Sequence, residues 1–354
     1  MDRKLENQSG MDQRLIYASR EGDINAVKIL IESGADVHAD NEAALRWAAH
    51  NDHAEIVGLL LKTGADASNL LTNASAFGNI KVIKTLLSAS MDIRVNDNDL
   101  LSFLLPFRWA SKYGHGEIVK LLATAGADVH AGDDAALRSA ASRGDIEIVE
   151  ALLSVGANVH AKNGESLILA TRCGSAEVVK ALLKAGADVH AKNDESLQEA
   201  SDKGFVEIVQ ILLDAGADVR ARESEALYRA SANNHAKVVR MLLDAGADVH
   251  AVSDHALLKA SDRGHVEVVK TLLEAGADAS SNKGLALQWA VENNNLEVVK
   301  ELIGHGAKTG DDNESVFMIA KQKGFSEIEQ FLTSLVICDK KESGAKSQSS
   351  NRMS

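Results

Sequence analysis

Scarcity characterises this chain before any pattern does. Its 354 residues hold one proline, Pro106, two cysteines and 4% aromatics. A single proline leaves long uninterrupted helices open. Cys173 and Cys338 lie far apart in unlike contexts, which argues against a disulfide framework and fits a reducing compartment. No apolar run reaches the eighteen or so residues needed to span a bilayer. Residues 1–10 are charged and polar, without the apolar segment of a secretory signal. An excess of basic residues is also missing. With 38 Lys and Arg against 51 Asp and Glu, the formal charge is −13, which disfavours a phosphate-binding surface and nucleic acid as a partner. The acidic balance is compatible with basic partners, and equally with ordinary solubility. A soluble intracellular chain, cytoplasmic and without a membrane partner, is the expectation.

What is abundant is repetition. Gly126-Ala127-Asp128-Val129-His130-Ala131 returns as Gly156-Ala157-Asn158-Val159-His160-Ala161 and again from Gly186. Edited forms follow at Gly216, Gly246 and Gly276, and the start of the phrase recurs at Gly306. The step is thirty residues each time, a period that marks a stacked array of structural repeats. Such an array grows in one dimension, each repeat touching only its neighbours. Its length therefore does not force a division into globular domains, and the 45% apolar content is enough for a continuous core.

One small residue tracks the repeat, as at Ala110, Ala140, Ala170, Ala200 and Ala230, with an apolar residue three positions earlier at Phe107, Leu137, Leu167, Leu197 and Leu227. Spacing of i and i+3 places the pair on one helical face. Four residues after the alanine stands Gly144, Gly174, Gly204 or Asn234, residue types that tolerate the left-handed conformation and stop a helix. A second helix follows, patterned as Glu147-Ile148-Val149-Glu150-Ala151-Leu152-Leu153. Its acidic first turn complements the helix dipole. The recurrent glycine ends it and releases an extended Ala-Asp-Val-His segment into the next repeat.

Helix, tight turn, helix and loop closed by Gly-Ala-Asp-Val together resemble the ankyrin repeat. The resemblance spans roughly residues 12–335, eleven repeats, and implies an all-α ankyrin-repeat solenoid of helix-turn-helix units. The expected product is a curved stack about 100 Å long at about 10 Å per repeat. A polar, disordered lead-in over 1–11 and a disordered tail over 336–354 are expected around it. Pro106 stands where the family's Thr-Pro-Leu-His turn carries its proline, suited to a first helical position. The departures are specific. The repeat is 30 residues rather than the family's 33, so the projecting finger is shortened, and Glu165-Ser166-Leu167-Ile168 replaces the family turn. Arrays with similarly short repeats and a Val-His-Ala phrase are common among giant DNA viruses, an origin the resemblance suggests. One place breaks the rhythm: the loop after Gly64 is nearly absent, and an insertion over 95–105 carries Leu100-Leu101-Ser102-Phe103-Leu104-Leu105. This run either packs over the gap or is exposed for a partner.

Chemistry was sought and is not indicated. The histidines His38, His130, His160, His190 and His250 recur, but repeats stacked about 10 Å apart do not converge three or four nitrogens at about 2.0–2.1 Å on one zinc. Hydrogen bonding within the loops is the expected role. Gly304-His305-Gly306-Ala307-Lys308-Thr309 has Ala307 where a phosphate loop needs glycine. Asp97-Asn98-Asp99 is followed by Leu101 in the third ligand place of a calcium loop. Cys173 lies beside Arg172 but has no assignable His partner. No enzyme, metal or cofactor is expected. Trp47, Trp109 and Trp289 all precede the repeating alanine. They read as wedges between helices in preference to binding anchors.

The resemblance instead implies protein binding on the concave face by a monomer. The two residues before each helix stop vary on an otherwise constant frame, and Phe77, Tyr113, Arg143, Arg172 and Lys203 are the candidate contact residues. An alternative is a host-directed effector or adaptor that recruits a second partner through residues 338–354.

Overall fold

The computed structural model describes residues 2–67, 70–89, 101–308 and 313–335, and only the backbone of 2–7, 89, 101–105 and 313–315. Among these residues every regular element is a helix, and the helices form eleven pairs. The chain divides into two compact bodies, Met1–Asp188 and Val189–Ser354. The first holds six pairs, from Asp2–Glu21 with Ile24–Glu32 to Ala161–Cys173 with Ala176–Lys184. The second holds five, from Ala191–Lys203 with Val206–Asp214 to Asn313–Lys323 with residues 326–335. We call the two members of a pair the leading and the trailing helix. Within each body, leading helices pack on leading helices and trailing on trailing.

The repeated apolar positions build the core. Leu137, Ala140, Leu167, Ala170 and Ala200 are fully buried on leading helices, and so are Ile148, Val149 and Leu152 on a trailing helix. Fully burying a leucine or valine side chain stabilises by about 1.5–3 kcal/mol. A nine-residue trailing helix is too short to stand alone in water, so this stacking is what holds it.

Each junction has its own chemistry. The stop residue is left-handed whether it is glycine (Gly144, φ 71°; Gly204, φ 68°) or not (Asn234, φ 62°; Asn294, φ 60°). The last carbonyls of a leading helix have no partner within the helix, and the next repeat supplies one. His53 Nε2 lies 3.0 Å from the Arg20 carbonyl oxygen, and His235 Nε2 lies 3.0 Å from that of Asp202. Asn295 Nδ2 donates to Ser261 O at 3.1 Å. These side chains lie where a Cβ on Gly22, Gly204 or Gly264 would have to go.

The connection between repeats differs from the extended segment expected. The aspartate of the repeated phrase folds back, its Oδ1 accepting the N–H two residues on, as Asp128 does from His130 at 2.9 Å. Then come three consecutive left-handed residues: Gly132, Asp133 and Asp134, with φ of 63°, 56° and 56°. The same triplet occurs in seven repeats, at Asp40, Lys162, Lys192, Arg222, Val252 and Asn282 as well. One left-handed turn thus stands in place of the finger. Left-handed backbone costs roughly 1–2 kcal/mol per non-glycine residue; glycine avoids that cost at Gly164 and Gly284, and an aspartate at the third position offsets part of it. Asp134, Asp194 and Asp254 are buried. Each accepts the loop N–H 24 residues ahead, at 2.7 Å from Asn158, 2.8 Å from Asp218 and 3.0 Å from Asp278. Each also meets Nδ1 of its own repeat's histidine, at 3.2 Å for His130, 3.1 Å for His190 and 3.0 Å for His250.

Two further differences have physical causes. The first helix starts at Asp2 rather than after a frayed lead-in. Gln8 Nε2 donates to Gly34 O at 2.9 Å, and Asp12 accepts the Asp36 N–H at 2.8 Å, fastening this helix to the next loop. Pro106 lies inside the helix Leu101–Lys112, not at its first position, because the insertion adds a turn ahead of it. The cost is the one intrahelical hydrogen bond a proline cannot donate. The readings of the apolar run 100–105, of Asp97-Asn98-Asp99 and of the tail 336–354 fall on residues or side chains outside those described.

Candidate functional site

At about 100° per residue, the alanine, the apolar residue three before it and the residue after it cover one arc of the leading helix. The residue just before the alanine falls outside that arc. This is where Tyr17 and Trp47 sit, 65% and 40% exposed. Trp109 and Trp289 are half-buried. The expectation that these tryptophans wedge between helices is therefore corrected: the backbone points them away from the packed face.

In the first body they gather aromatic and cationic neighbours. The Arg20 guanidinium lies 4.9 Å from the Trp47 ring centroid, reaching across one repeat. Trp47 meets His50 edge-on at 5.8 Å, and His50 meets Phe77 edge-on at 4.9 Å. Trp109 stacks on Tyr113 at 5.5 Å, with Lys112 Nζ over both rings at 4.6 and 5.4 Å. Cation–π contacts of this kind contribute about 0.5–1 kcal/mol at exposed sites.

Of the five residues singled out from sequence, Phe77, Arg143 and Arg172 lie at the ends of leading helices of the first body, and Tyr113 stands in the turn directly after the helix Leu101–Lys112. Phe77 and Tyr113 are 60% and 52% exposed. Arg143 is tied down: Nη2 donates to Ser111 O at 2.6 Å and Nη1 to Ser139 Oγ at 2.7 Å, and Asp145 lies 3.9 Å away. Arg172 is engaged by neighbouring groups. Lys203 ends the first leading helix of the second body and pairs with Asp202 at 3.4 Å. Sequence reasoning passed over Tyr17 and Arg108, and read Trp47 as a wedge rather than a contact residue. The signal for Tyr17 and Trp47 was present, since both immediately precede the repeating alanine.

Two grooves open between leading helices of the first body. One, of 310 Å³, is lined by Arg46, Trp47, His50, Leu70 and Phe77 among others. It lies where the shortened loop leaves the leading helix Leu70–Phe77 only 8 residues long. The other, of 510 Å³, is lined by buried Phe107 and Val129 and by alanines, together with Arg108, Lys112 and Arg143. The recurring histidines take hydrogen bonds within their loops. His38 Nδ1 lies 2.7 Å from Glu42, and that bond, then the carboxylate charge, raises the His38 pKa. The Cys173 thiol donates to Ala170 O at 3.2 Å and Ala141 O at 3.4 Å. Among the described residues no cluster of three His, Cys, Asp or Glu is placed to hold a metal ion, and no helix is long and apolar enough to cross a membrane.

A profile of ankyrin repeats in three copies matches residues 15–99, 107–193, 168–253 and 257–343. The chain belongs to the ankyrin-repeat family. It is 31% identical over 142 residues to the ankyrin repeat and KH domain-containing protein mask-1 of Caenorhabditis elegans, a match covering 38% of this chain and 5% of that protein. It is 42% identical over 72 residues to human ankyrin repeat domain-containing protein 40, covering 19% and 20%. The matched stretch is thus a small part of either relative. A putative ankyrin repeat protein of fowlpox virus, FPV223, is 32% identical over 129 residues, 34% of this chain and 89% of that one. The solved human ASB11 ankyrin repeat domain aligns with 58% of this chain and 99% of its own, at 27% identity and a TM-score of 0.50. Ankyrin repeats are protein-interaction modules, and this array has the family's helix pairs on a shorter connection.

Proposed function

We propose that this chain is a non-catalytic scaffold that holds a partner protein on the face of its leading helices, the concave face of an ankyrin stack. The supporting observation is the contrast between frame and surface. The alanine, the leucine and the stop residue repeat throughout and are consumed by packing and capping. The neighbouring surface positions of the first body instead carry exposed Tyr17, Trp47, Phe77 and Tyr113. Aromatic side chains with a cation alongside are what binding hot spots are made of. Phe77, Tyr113, Arg143, Arg172 and Lys203 are assigned to the contact. The test is affinity purification of the tagged chain from its native cell, identification of the retained protein by mass spectrometry, and titration of that protein against the chain. Alanine at all five positions is expected to weaken binding at least ten-fold. Unchanged affinity places the contact elsewhere.

A further inference from the structure

The chain carries a formal charge of −13, so a generic partner would be basic. The larger groove of the first body reverses that sign. Arg108, Lys112 and Arg143 line its rim, and the one carboxylate in its wall, Asp128, already accepts the His130 N–H. Arg108 is exposed, and among the described residues neither it nor Lys112 meets a carboxylate. The cavity measures 510 Å³, enough for one or two large apolar side chains, and Phe107, Val129 and alanines line it. The neighbouring groove at Trp47 likewise has Arg46 and His50 but no acid in its wall. A groove between turns of the second body, by contrast, sets Glu223 and Asp248 against Arg220 and His250.

We propose that the groove between helices Leu101–Lys112 and Ala131–Arg143 binds an acidic peptide segment of a partner protein. An apolar side chain of the segment sits against Phe107, and flanking carboxylates pair with Arg108 and Lys112. This rests on the leading-helix face being the docking face. Charge complementarity selects the partner: a basic segment would meet three cations, whereas carboxylates satisfy two that have none. Arg143, held by Ser111 and Ser139, contributes its charge from a fixed position.

The probe is a phage-displayed library of random dodecapeptides panned on the full chain at low salt. Enriched peptides are expected to place Leu, Phe or Trp beside Asp or Glu. One such peptide, fluorescein-labelled, is then titrated by anisotropy. Arg108→Glu with Lys112→Glu is expected to weaken it at least ten-fold, and Arg108→Gln with Lys112→Gln by less. Lys237→Glu with Lys270→Glu, exposed on trailing helices of the second body, is expected to change it less than two-fold. Circular dichroism verifies that each variant keeps its helix content. A basic or uncharged consensus, no enrichment, equal loss with the control pair, or indifference to the Arg108 and Lys112 changes overturns the proposal. Displacement by an equimolar single-stranded RNA dodecamer overturns it in favour of nucleic acid. The cellular partner separates this assignment from the broader one. If the five alanines release it and the Arg108 and Lys112 reversal does not, the docking face stands and the groove assignment fails. If neither releases it, both fail.

Discussion

Two histidines at different places in the repeat have pKa values shifted in opposite directions because their partners differ. His38 faces Glu42, whose hydrogen bond and charge favour the imidazolium and raise its pKa above the ordinary 6.5. Its contribution to stability is fully present below the unfolded value and is lost as pH rises through the raised one. His265 sits against the Ala232 carbonyl at 3.1 Å. There, burial outweighs that carbonyl and, with Arg263 and His235 adding to it, lowers the pKa below 6.5. Its contribution is present above the ordinary value and lost as pH falls through the lowered one. In a proton NMR titration the His38 midpoint is expected above that of free histidine and the His265 midpoint below it. Glu42→Gln should return only the former, and a His38 midpoint unmoved by that change would refute the pairing. The serine after the repeating alanine supplies a second residue-scale test. Ser201, Ser231 and Ser261 are fully buried, and their hydroxyls have no hydrogen-bond partner among the described residues. An unsatisfied buried hydroxyl costs about 1–3 kcal/mol. Ser201→Ala is therefore expected to stabilise by about 1 kcal/mol, read as a higher urea midpoint.

The left-handed turn is the element that distinguishes this array. The sequence announced its neighbours plainly: the helices through Leu137 and Ala140, the stop at Gly144 and the trailing helix through Leu152 could all be placed from spacing alone. The turn itself was invisible because its residues share no type. Asp40, Lys162, Arg222 and Val252 all open it, and nothing in their side chains demands a positive φ. Where the third position is Asp134, Asp194, Ser224 or Asp254, a non-local contact supports the turn, the buried acceptor reaching an N–H in the next repeat. Where it is Gly164 or Gly284, glycine takes the left-handed conformation without that support. In the repeats that have it, removing the acceptor and leaving a non-glycine residue in its place is expected to weaken the turn. Asp194→Ala leaves the Asp218 N–H without its carboxylate and removes the Asp194–His190 contact, and hydrogen bonds to charged groups contribute about 1.5–3 kcal/mol. A loss of that size in urea unfolding is expected, together with faster amide exchange at Asp218. Asp194→Ser should recover part of it, since Ser224 fills the same role and accepts the Asp248 N–H at 3.0 Å. Exchange at Asp218 that does not change in Asp194→Ala would remove the clasp from the account.

At the scale of the whole chain, net charge and local charge pull apart, and salt separates them. The total can be counted along the chain, but its distribution in space cannot. The cations at Arg108, Lys112 and Arg143 fall at unrelated places in the text, and only the stacking of two leading helices brings them to one groove. The exposure of Trp47 escapes the sequence for a related reason: sharing a repeat position says that it is equivalent to Trp109 and Trp289, and only the angle around the helix says which way it faces. A net charge of −13 repels itself in the compact state, and screening reaches about 10 Å at 0.1 M salt and about 3 Å at 1 M. Raising sodium chloride from 0.02 to about 0.5 M is thus expected to raise the thermal midpoint of the free chain. Over the same range it should weaken an acidic peptide in the cationic groove. A basic ligand attracted by the overall charge would weaken too, so the deciding measurement is the same titration on the Arg108→Glu and Lys112→Glu variant. There the salt dependence of acidic-peptide binding should vanish while the rise in thermal midpoint persists. If both effects disappear together, the groove charge is only a share of the global field and has no separate role in recognition.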